Sequence, residues 1–390
     1  MSKLKELIQQ YCPDGVEYKK LGVAVSIERG KRLVRDQLSN DCGYPVFQNS
    51  MTPLGYHTDY NYPETTAFII GAGAAGEIGF SPVKFWAADD CYPIVCREDI
   101  SSRYLYHALL SIQPQIKSKV RKASIPRLSR TSIEKLEIPI PPLPVQSEIV
   151  RILDKFTELT AELTAELTAR KKQYEFYRDK LLTFGDVQEG ATSDVTWRKL
   201  GEVCNLQSGK AISAYLISGT QTAENPIPCY GANGLRGYVS TSNESGAKPI
   251  VGRQGALCGN VCFATGSYYA TEHAVVVTDT GFFNSRFLYH LLVNADLNQY
   301  KTAGAQPGLS VARLNEVKVP VPTRTVQDKI ANVLDNFDAI CSDLKIGLPA
   351  EIEARTKQYE YYRNALLTYA ATGKTILTDR QTDRQTDRQV

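Results

Sequence analysis

The hydrophobic pattern is helical in two long stretches and strand-like in between. From about Gln146 to Phe184 there is no Pro or Gly, and apolar residues fall at Ile149, Leu153, Phe156, Leu159, Leu163, Leu167, Tyr174, Tyr177 and Leu181. Steps of mostly three and four put these residues on one stripe of a helix. Over this span the helix would be roughly 58 Å long at about 1.5 Å per residue. A second stripe, Ile330, Leu334, Phe337, Cys341, Leu344, Leu348, Ile352, Tyr359, Tyr362 and Leu366, approaches a heptad seam. Inside it, Gly347-Leu348-Pro349 predicts a kink or an interruption. The segments before each helix are mixed. They hold short β-like runs such as Thr66–Ile70 and Ala274–Thr278 among many Gly and Pro breaks. A Pro-rich connector precedes each helix.

The alternation is a duplication. Lys20-Leu21-Gly22 recurs as Lys199-Leu200-Gly201, and Arg29-Gly30-Lys31 as Ser208-Gly209-Lys210. Gly55-Tyr56 matches Gly237-Tyr238, and the segment Ser102 to His107 matches Ser285 to His290. Leu136 to Pro141 (LEIPIP) matches Val317 to Pro322 (VKVPVP), and Gln146 matches Gln327. Lys172 to Arg178 (KQYEFYR) matches Lys357 to Arg363 (KQYEYYR). The offset drifts only from 179 to 185, so the matches are collinear along the chain.

Neither long helix has a core of its own. Pairing them within the chain buries both stripes, and an up-then-down path makes that pair an antiparallel coiled coil; the alternative is that each packs on its own globular half. Thr160 to Leu167 reads TAEL twice. Each such unit adds about 6 Å of helix, so it acts as a ruler that changes in discrete steps.

Composition narrows the class. With 390 residues, 43% hydrophobic and 22% charged, the chain has material for two or three domains. No apolar run approaches the ~20 residues of a membrane span, and Met1 to Gln10 lacks a signal-peptide core. Nine scattered cysteines without a CxxC pair suit a reducing cytoplasm. The net charge is only +3, but its distribution is uneven. Between Asp99 and Glu134 there is no acid, while Arg103, Lys117, Lys119, Arg121, Lys122, Arg127 and Arg130 fall there. Lys19 to Arg35 carries six basic residues against Glu28 alone. Such clusters can neutralise phosphates.

These residues resemble a known family, the specificity subunits of type I restriction-modification enzymes. The helix sequences QSEIVRILDKFTELTAELTAEL and RKKQYEFYRDKLLTF look like its IC subclass, and Ile138 to Ile149 (IPIPPLPVQSEI) resembles the family's connector into the first helical region. The fold class expected is α+β: two small mixed α/β target-recognition domains joined by two long helices that form an antiparallel coiled coil. The expected bounds are a first recognition domain at 1–145, a first spacer helix at 146–184 and a linker at 185–196. A second recognition domain at 197–326, a second spacer helix at 327–370 and a disordered tail at 371–390 follow. The resemblance implies sequence recognition without catalysis, each domain reading one half-site of a bipartite site in double-stranded DNA. It implies two methyltransferase subunits and further restriction/translocase subunits as partners. S-adenosylmethionine, ATP and Mg are then expected in those partners and no cofactor in this chain.

Other motif fragments fail on context. Gly71-Ala-Gly73-Ala-Ala-Gly76 fits GxGxxG after an apolar run, but Gly79 and Pro82 would break the helix that a dinucleotide site needs. Thr372-Gly373-Lys374-Thr375 lacks the first glycine of a P-loop. Cys258, Cys262 and His273 lack a fourth zinc ligand and standard spacing. No Asn/Asp-Pro-Pro-Tyr/Phe run of a base methyltransferase occurs. His107 and His290, at equivalent repeat positions, are expected to be structural.

Polar or basic residues in Gly-bounded loops are the candidates for DNA contact. In the first domain these are Arg29, Lys31, Arg32, Gln48, Asn49, Lys84, Arg121, Lys122 and Arg127. In the second they are Ser208, Lys210, Asn233, Arg236, Arg253, Gln254, Tyr268 and Tyr269. Thr378 to Gln389 reads TDRQ three times, which predicts disorder and suggests a tetranucleotide tract in the gene. Two other readings stay open: a coiled-coil scaffold without sequence specificity, and a self-contained DNA-modifying enzyme.

Overall fold

The computed structural model describes residues 2–40, 42–184, 195–302 and 307–372. The TDRQ tail and most of the expected linker lie outside them. The chain divides into two compact units, one of Met1–Leu163 with Glu351–Val390 and one of Thr164–Ala350. Six helices matter here: α1 (Ser2–Tyr11), α2 (Ser102–Ser111), α3 (Leu143–Leu182), α4 (Ser285–Asn294), α5 (Arg324–Ser342) and α6 (Leu348–Thr372). None of the described helices is long and apolar enough to cross a membrane.

In the first unit Thr66–Ile70 is one of the two interior strands of a four-stranded antiparallel sheet. Its neighbours are Cys91–Cys96, which also pairs with Val25–Ile27, and Ile78–Ser81. All five of its residues are buried. Alternation explains this: Ala67 and Ile69 join the core that holds Tyr104, Leu105 and Leu109 of α2, while Phe68 and Ile70 join Phe85 and Ala87 on the other face. A strand covered on both sides reads as a continuous apolar run. The second unit repeats the sheet in the same order with Cys204–Ser208, Ala274–Asp279, Lys248–Gly252 and Val261–Ala264. Val275 and Val277 face the core under α4, and Ala274 and Val276 face a smaller one with Tyr268.

The glycine shared by Arg29-Gly30-Lys31 and Ser208-Gly209-Lys210 is required by a backbone crossing. A Cβ on Gly30 would lie 2.0 Å from the Ala88 carbonyl oxygen, and one on Gly209 would lie 2.1 Å from that of Ala270. The Gly30 N–H donates to the Cys91 carbonyl at 3.0 Å, and the Gly209 N–H to that of Ala274 at 3.0 Å.

α3 runs from Leu143 with Pro144 in its first turn, where the missing N–H costs nothing. The helix continues without interruption to Leu182. The second stripe is interrupted as Gly347-Leu348-Pro349 predicts, with α5 ending at Ser342 and α6 starting at Leu348. At the base of each helix a buried glutamine clips it to the globular part. Gln146 accepts from the Ser101 N–H at 2.9 Å and donates to the Asp99 and Pro141 carbonyls at 2.8 and 2.7 Å. Gln327 repeats this with the Asn284 N–H at 2.7 Å and the Phe282 and Pro322 carbonyls at 2.9 Å.

About two turns further along, each helix meets a fully buried histidine, as the structural reading of His107 and His290 expects. In the first unit His107 Nε2 lies 2.9 Å from Asp154 Oδ1 and its Nδ1 lies 2.8 Å from the Tyr359 hydroxyl. In the second, His290 Nε2 lies 2.7 Å from Asp335 Oδ1 and its Nδ1 3.3 Å from the Tyr174 hydroxyl. A neutral ring with its proton on Nε2 satisfies both contacts, donating to the carboxylate and accepting from the phenol. Burial pushes both histidines below their ordinary value in spite of the carboxylates beside them. Burial also works to raise Asp154 and Asp335, but their histidine and arginine partners outweigh it and hold both carboxyls low. Arg103 completes the first node, its Nε donating to Asp154 at 2.9 Å; Arg286 completes the second, its Nε donating to Asp335 at 2.8 Å.

The tyrosines come from the KQYE(F/Y)YR motifs, and they are exchanged. Tyr359, from the second copy, completes the first unit, while Tyr174, from the first copy, completes the second. Ring stacking follows the same exchange: Phe156 on Tyr362 at 5.2 Å and Phe337 on Tyr177 at 5.7 Å.

Two outcomes are expected. Gly30→Ala, or Gly209→Ala, forces a carbonyl aside and lowers unfolding free energy by about 1–3 kcal/mol; denaturant titration checks it, and an unchanged midpoint refutes the crossing. The second concerns pH. The unfolded chain protonates its histidines near pH 6.5 while the folded nodes resist, so stability is full above that value and falls as pH drops below it. The aspartates add a further loss in stronger acid, below about pH 4. Melting temperatures should therefore fall from pH 7.5 to 5, and less so in a His107→Gln, His290→Gln double variant.

Candidate nucleic-acid interface

The GxGxxG segment folds as a turn, not as a cofactor loop. Gly73 and Gly76 sit at φ +77° and +86°, in the left-handed region that favours glycine. The chain returns as strand Ile78–Ser81, where a dinucleotide site would need a helix. A second loop is laid across this turn. The Leu128 N–H donates to the Gly71 carbonyl at 2.7 Å and the Gly73 N–H to that of Pro126 at 3.1 Å. Arg121 and Arg127 exchange backbone hydrogen bonds at 2.8 and 3.2 Å, pinching the loop.

Turn and loop enclose a cleft of about 560 Å³ lined by Arg29, Asp90, Tyr92, Lys119, Arg121 and Arg127, with Gly71 and Ala72 as part of its wall. Among the described residues Lys119, Arg121, Lys122 and Arg127 form no ion pair. The rest of that basic run is engaged: Arg103 with Asp154, Lys117 with Glu77 at 2.7 Å, and Arg130 with Glu134 at 3.1 Å. Unpaired cations around a cleft hold a positive potential that suits an anionic partner.

The second unit builds the same cleft from different residues. The Leu309 N–H donates to the Arg253 carbonyl at 2.8 Å, the Gly255 N–H to that of Pro307 at 3.0 Å, and the Thr302 N–H to that of Gly308 at 2.8 Å. The cleft, about 520 Å³, is lined by Arg253, Gln254, Thr302, Pro307, Gly308 and Ser310. The tip of its loop, 303–306, lies outside the described residues.

Of the sequence candidates, five line these clefts: Arg29, Arg121 and Arg127 in the first, Arg253 and Gln254 in the second. Ser208 reaches the second from beside it, accepting from Arg253 Nη1 at 2.8 Å. Gln48 donates to Asp89 at 3.2 Å, and the Asn49 carbonyl accepts from Ala74 in the glycine turn at 2.9 Å. Lys31, Arg32 and Lys122 are exposed. Lys210, just past the strand Cys204–Ser208, donates its N–H to the Ala270 carbonyl at 3.0 Å. Three others do not line the clefts: Lys84 lies 4.5 Å over the Tyr60 ring, Asn233 accepts from Asn260 at 2.9 Å, and Arg236 is exposed on strand Gly234–Val239. Tyr269 donates its hydroxyl to the Ala211 carbonyl at 3.2 Å.

Tyr268 is a correction. It is 0% exposed, in the core with Ile250 and Val276. Strand Ser267–Ala270 alternates, so Tyr268 turns inward and Tyr269 outward. Sequence reasoning also missed Lys119, Thr302 and Ser310 as cleft residues. One signal was available: Pro126-Arg127-Leu128-Ser129 matches Pro307-Gly308-Leu309-Ser310 and marks the covering loop in both copies.

Comparison with known proteins agrees with this doubled architecture. The family model described as type I restriction modification DNA specificity domain matches twice, over residues 13–170 and 192–354. The EcoprrI type I restriction enzyme specificity subunit of Escherichia coli is 38% identical over 299 residues, 73% of each chain. A putative type I restriction enzyme specificity subunit from Haemophilus influenzae is 29% identical over 393 residues, covering 91% of this chain and 96% of that one. The S subunit of a type I restriction-modification system from M. genitalium has the same fold, with a TM-score of 0.67 at 19% identity over 90% of this chain and 96% of that one. With both copies of the repeat matched to one domain model, the chain belongs to the type I restriction-modification DNA specificity family.

Proposed function

We propose that this chain reads a bipartite, asymmetric site in double-stranded DNA, one half-site per unit, and carries methyltransferase and restriction subunits to it without catalysing a reaction itself. The observation that carries this reading is the pair of equivalent clefts. Each is framed by the same backbone hydrogen bonds, yet the two present different side chains: Arg29, Lys119, Arg121 and Arg127 in one, Arg253, Gln254, Thr302 and Ser310 in the other. A shared frame with divergent contacts suits two readers of two different sequences. Arginine and glutamine can make bidentate contacts with guanine and adenine edges, and exposed cations such as Lys31, Arg32 and Lys122 supply phosphate contacts. S-adenosylmethionine, ATP and Mg then belong to the partner subunits.

The KQYE motifs and the long helices are the parts that stay alike between copies, which suits a spacer and a docking surface shared by two like partners. Within α3 the TAEL units are mostly exposed, with Thr160, Leu163 and Leu167 partly covered, so their number is little constrained by either core.

Exchanging residues 195–325 for another recognition domain should change one half-site of the methylated sequence and leave the other; unchanged methylation at both halves sinks the two-reader assignment. Deleting Thr164–Leu167 removes about 6 Å of helix against ~3.4 Å per base pair. The unread gap should shorten by about one to two base pairs, as mapping of methylated sites reports. An unchanged gap removes the ruler.

A further inference from the structure

The two clefts differ by a coupled exchange at three positions. Arg29 and Ser208 are equivalent, each preceding the glycine of the backbone crossing. Gly71 and Arg253 are equivalent: their N–H groups donate to the carbonyls of Asp90 and His273 at 2.7 and 2.9 Å, and their carbonyls accept from Leu128 and Leu309. Tyr92 and Val275 are equivalent, paired with Ile69 and Val251 in the two sheets. In the first unit the Tyr92 ring covers position 71, where a Cβ would lie 2.6 Å from its ring carbons, and the tyrosine hydroxyl donates to the Leu128 carbonyl at 3.2 Å. No side chain fits there, and the arginine comes from position 29. In the second unit the smaller Val275 stands where the first has Tyr92, and the arginine comes from position 253 instead, with only a serine at 208.

Of these equivalent positions, each cleft thus carries its arginine at a different one, 29 in the first and 253 in the second. Both are tethered by one nitrogen. Arg29 Nε donates to the Asp89 carbonyl at 3.1 Å, which leaves both Nη groups without a partner among the described residues. Arg253 Nη1 donates to Ser208 Oγ at 2.8 Å, while its buried Nε has no acceptor. A tethered guanidinium with spare donors is preorganised for an acceptor pair such as guanine O6 and N7, whereas exposed lysines nearby suit phosphates.

We propose that Arg29 and Arg253 are the specificity-determining arginines of their units, each reading a guanine at the same register of its half-site. This rests on the DNA-reading function proposed above. The test methylates a randomised duplex library with the full complex of this chain and its methyltransferase subunits, using Arg29→Ala, Arg253→Ala and Arg253→Lys. Each alanine variant should lose discrimination for guanine at one position of one half-site by about tenfold or more, with the other half-site intact. Arg253→Lys keeps the charge and the fold but loses the planar fork, so it should still direct methylation while that preference relaxes. An even loss of methylation across all sequences, a preference fully retained in the lysine variant, or a position that prefers another base overturns the proposal. If an alanine variant fails to fold, as circular dichroism would show, the lysine variant decides. An unaltered chain that yields no bipartite motif would instead overturn the function on which this rests.

Discussion

The rest of the structure depends on two buried histidines. His107 and His290 each sit where a recognition unit meets the helices, and each has both ring nitrogens engaged. A buried imidazole left with one open nitrogen would cost more than the hydrogen bond it lacks. Filling the second position takes a tyrosine from the other copy of the repeat, so neither copy supplies its own node. The duplication is therefore functional at the level of packing, because each unit is completed by a tyrosine far along the chain, 252 residues from His107 in one and 116 residues from His290 in the other. Arg103 and Arg286 show the same economy, each bonding the node's aspartate while lying over an aromatic pair, Phe80 and Tyr106 in one unit and Phe263 and Tyr289 in the other.

Around those fixed nodes the clefts are free to diverge. The backbone frame is carried by main-chain hydrogen bonds and by glycines at close crossings, neither of which depends on what the cleft side chains are. Side chains can then exchange in compensating groups, as Tyr92 with Gly71 and Arg29 do against Val275 with Arg253 and Ser208. Bulk on one strand decides which neighbouring position can carry the arginine. Of the seven basic residues between Asp99 and Glu134, three serve structure and three line the cleft, which is why charge clustering alone is a blunt guide to a nucleic-acid surface.

The sequence by itself determined the duplication, both helices, the break at Gly347-Leu348-Pro349 and the family, because these rest on periodicity, Gly and Pro placement and long collinear matches. Five of seventeen DNA-contact candidates line a cleft, chosen for being polar near glycines. Tyr268 and Tyr269 are indistinguishable by that criterion, and only strand pairing decides which one is buried. The loop that covers each cleft was legible in PRLS and PGLS, but its position across the glycine turn was not. Tertiary structure alone decided the exchange of tyrosines between copies and the handover of the cleft arginine between positions 29 and 253. The physical reason is common to both: each depends on which atoms distant segments bring within about 3 Å, and a pattern along one chain carries no record of that distance.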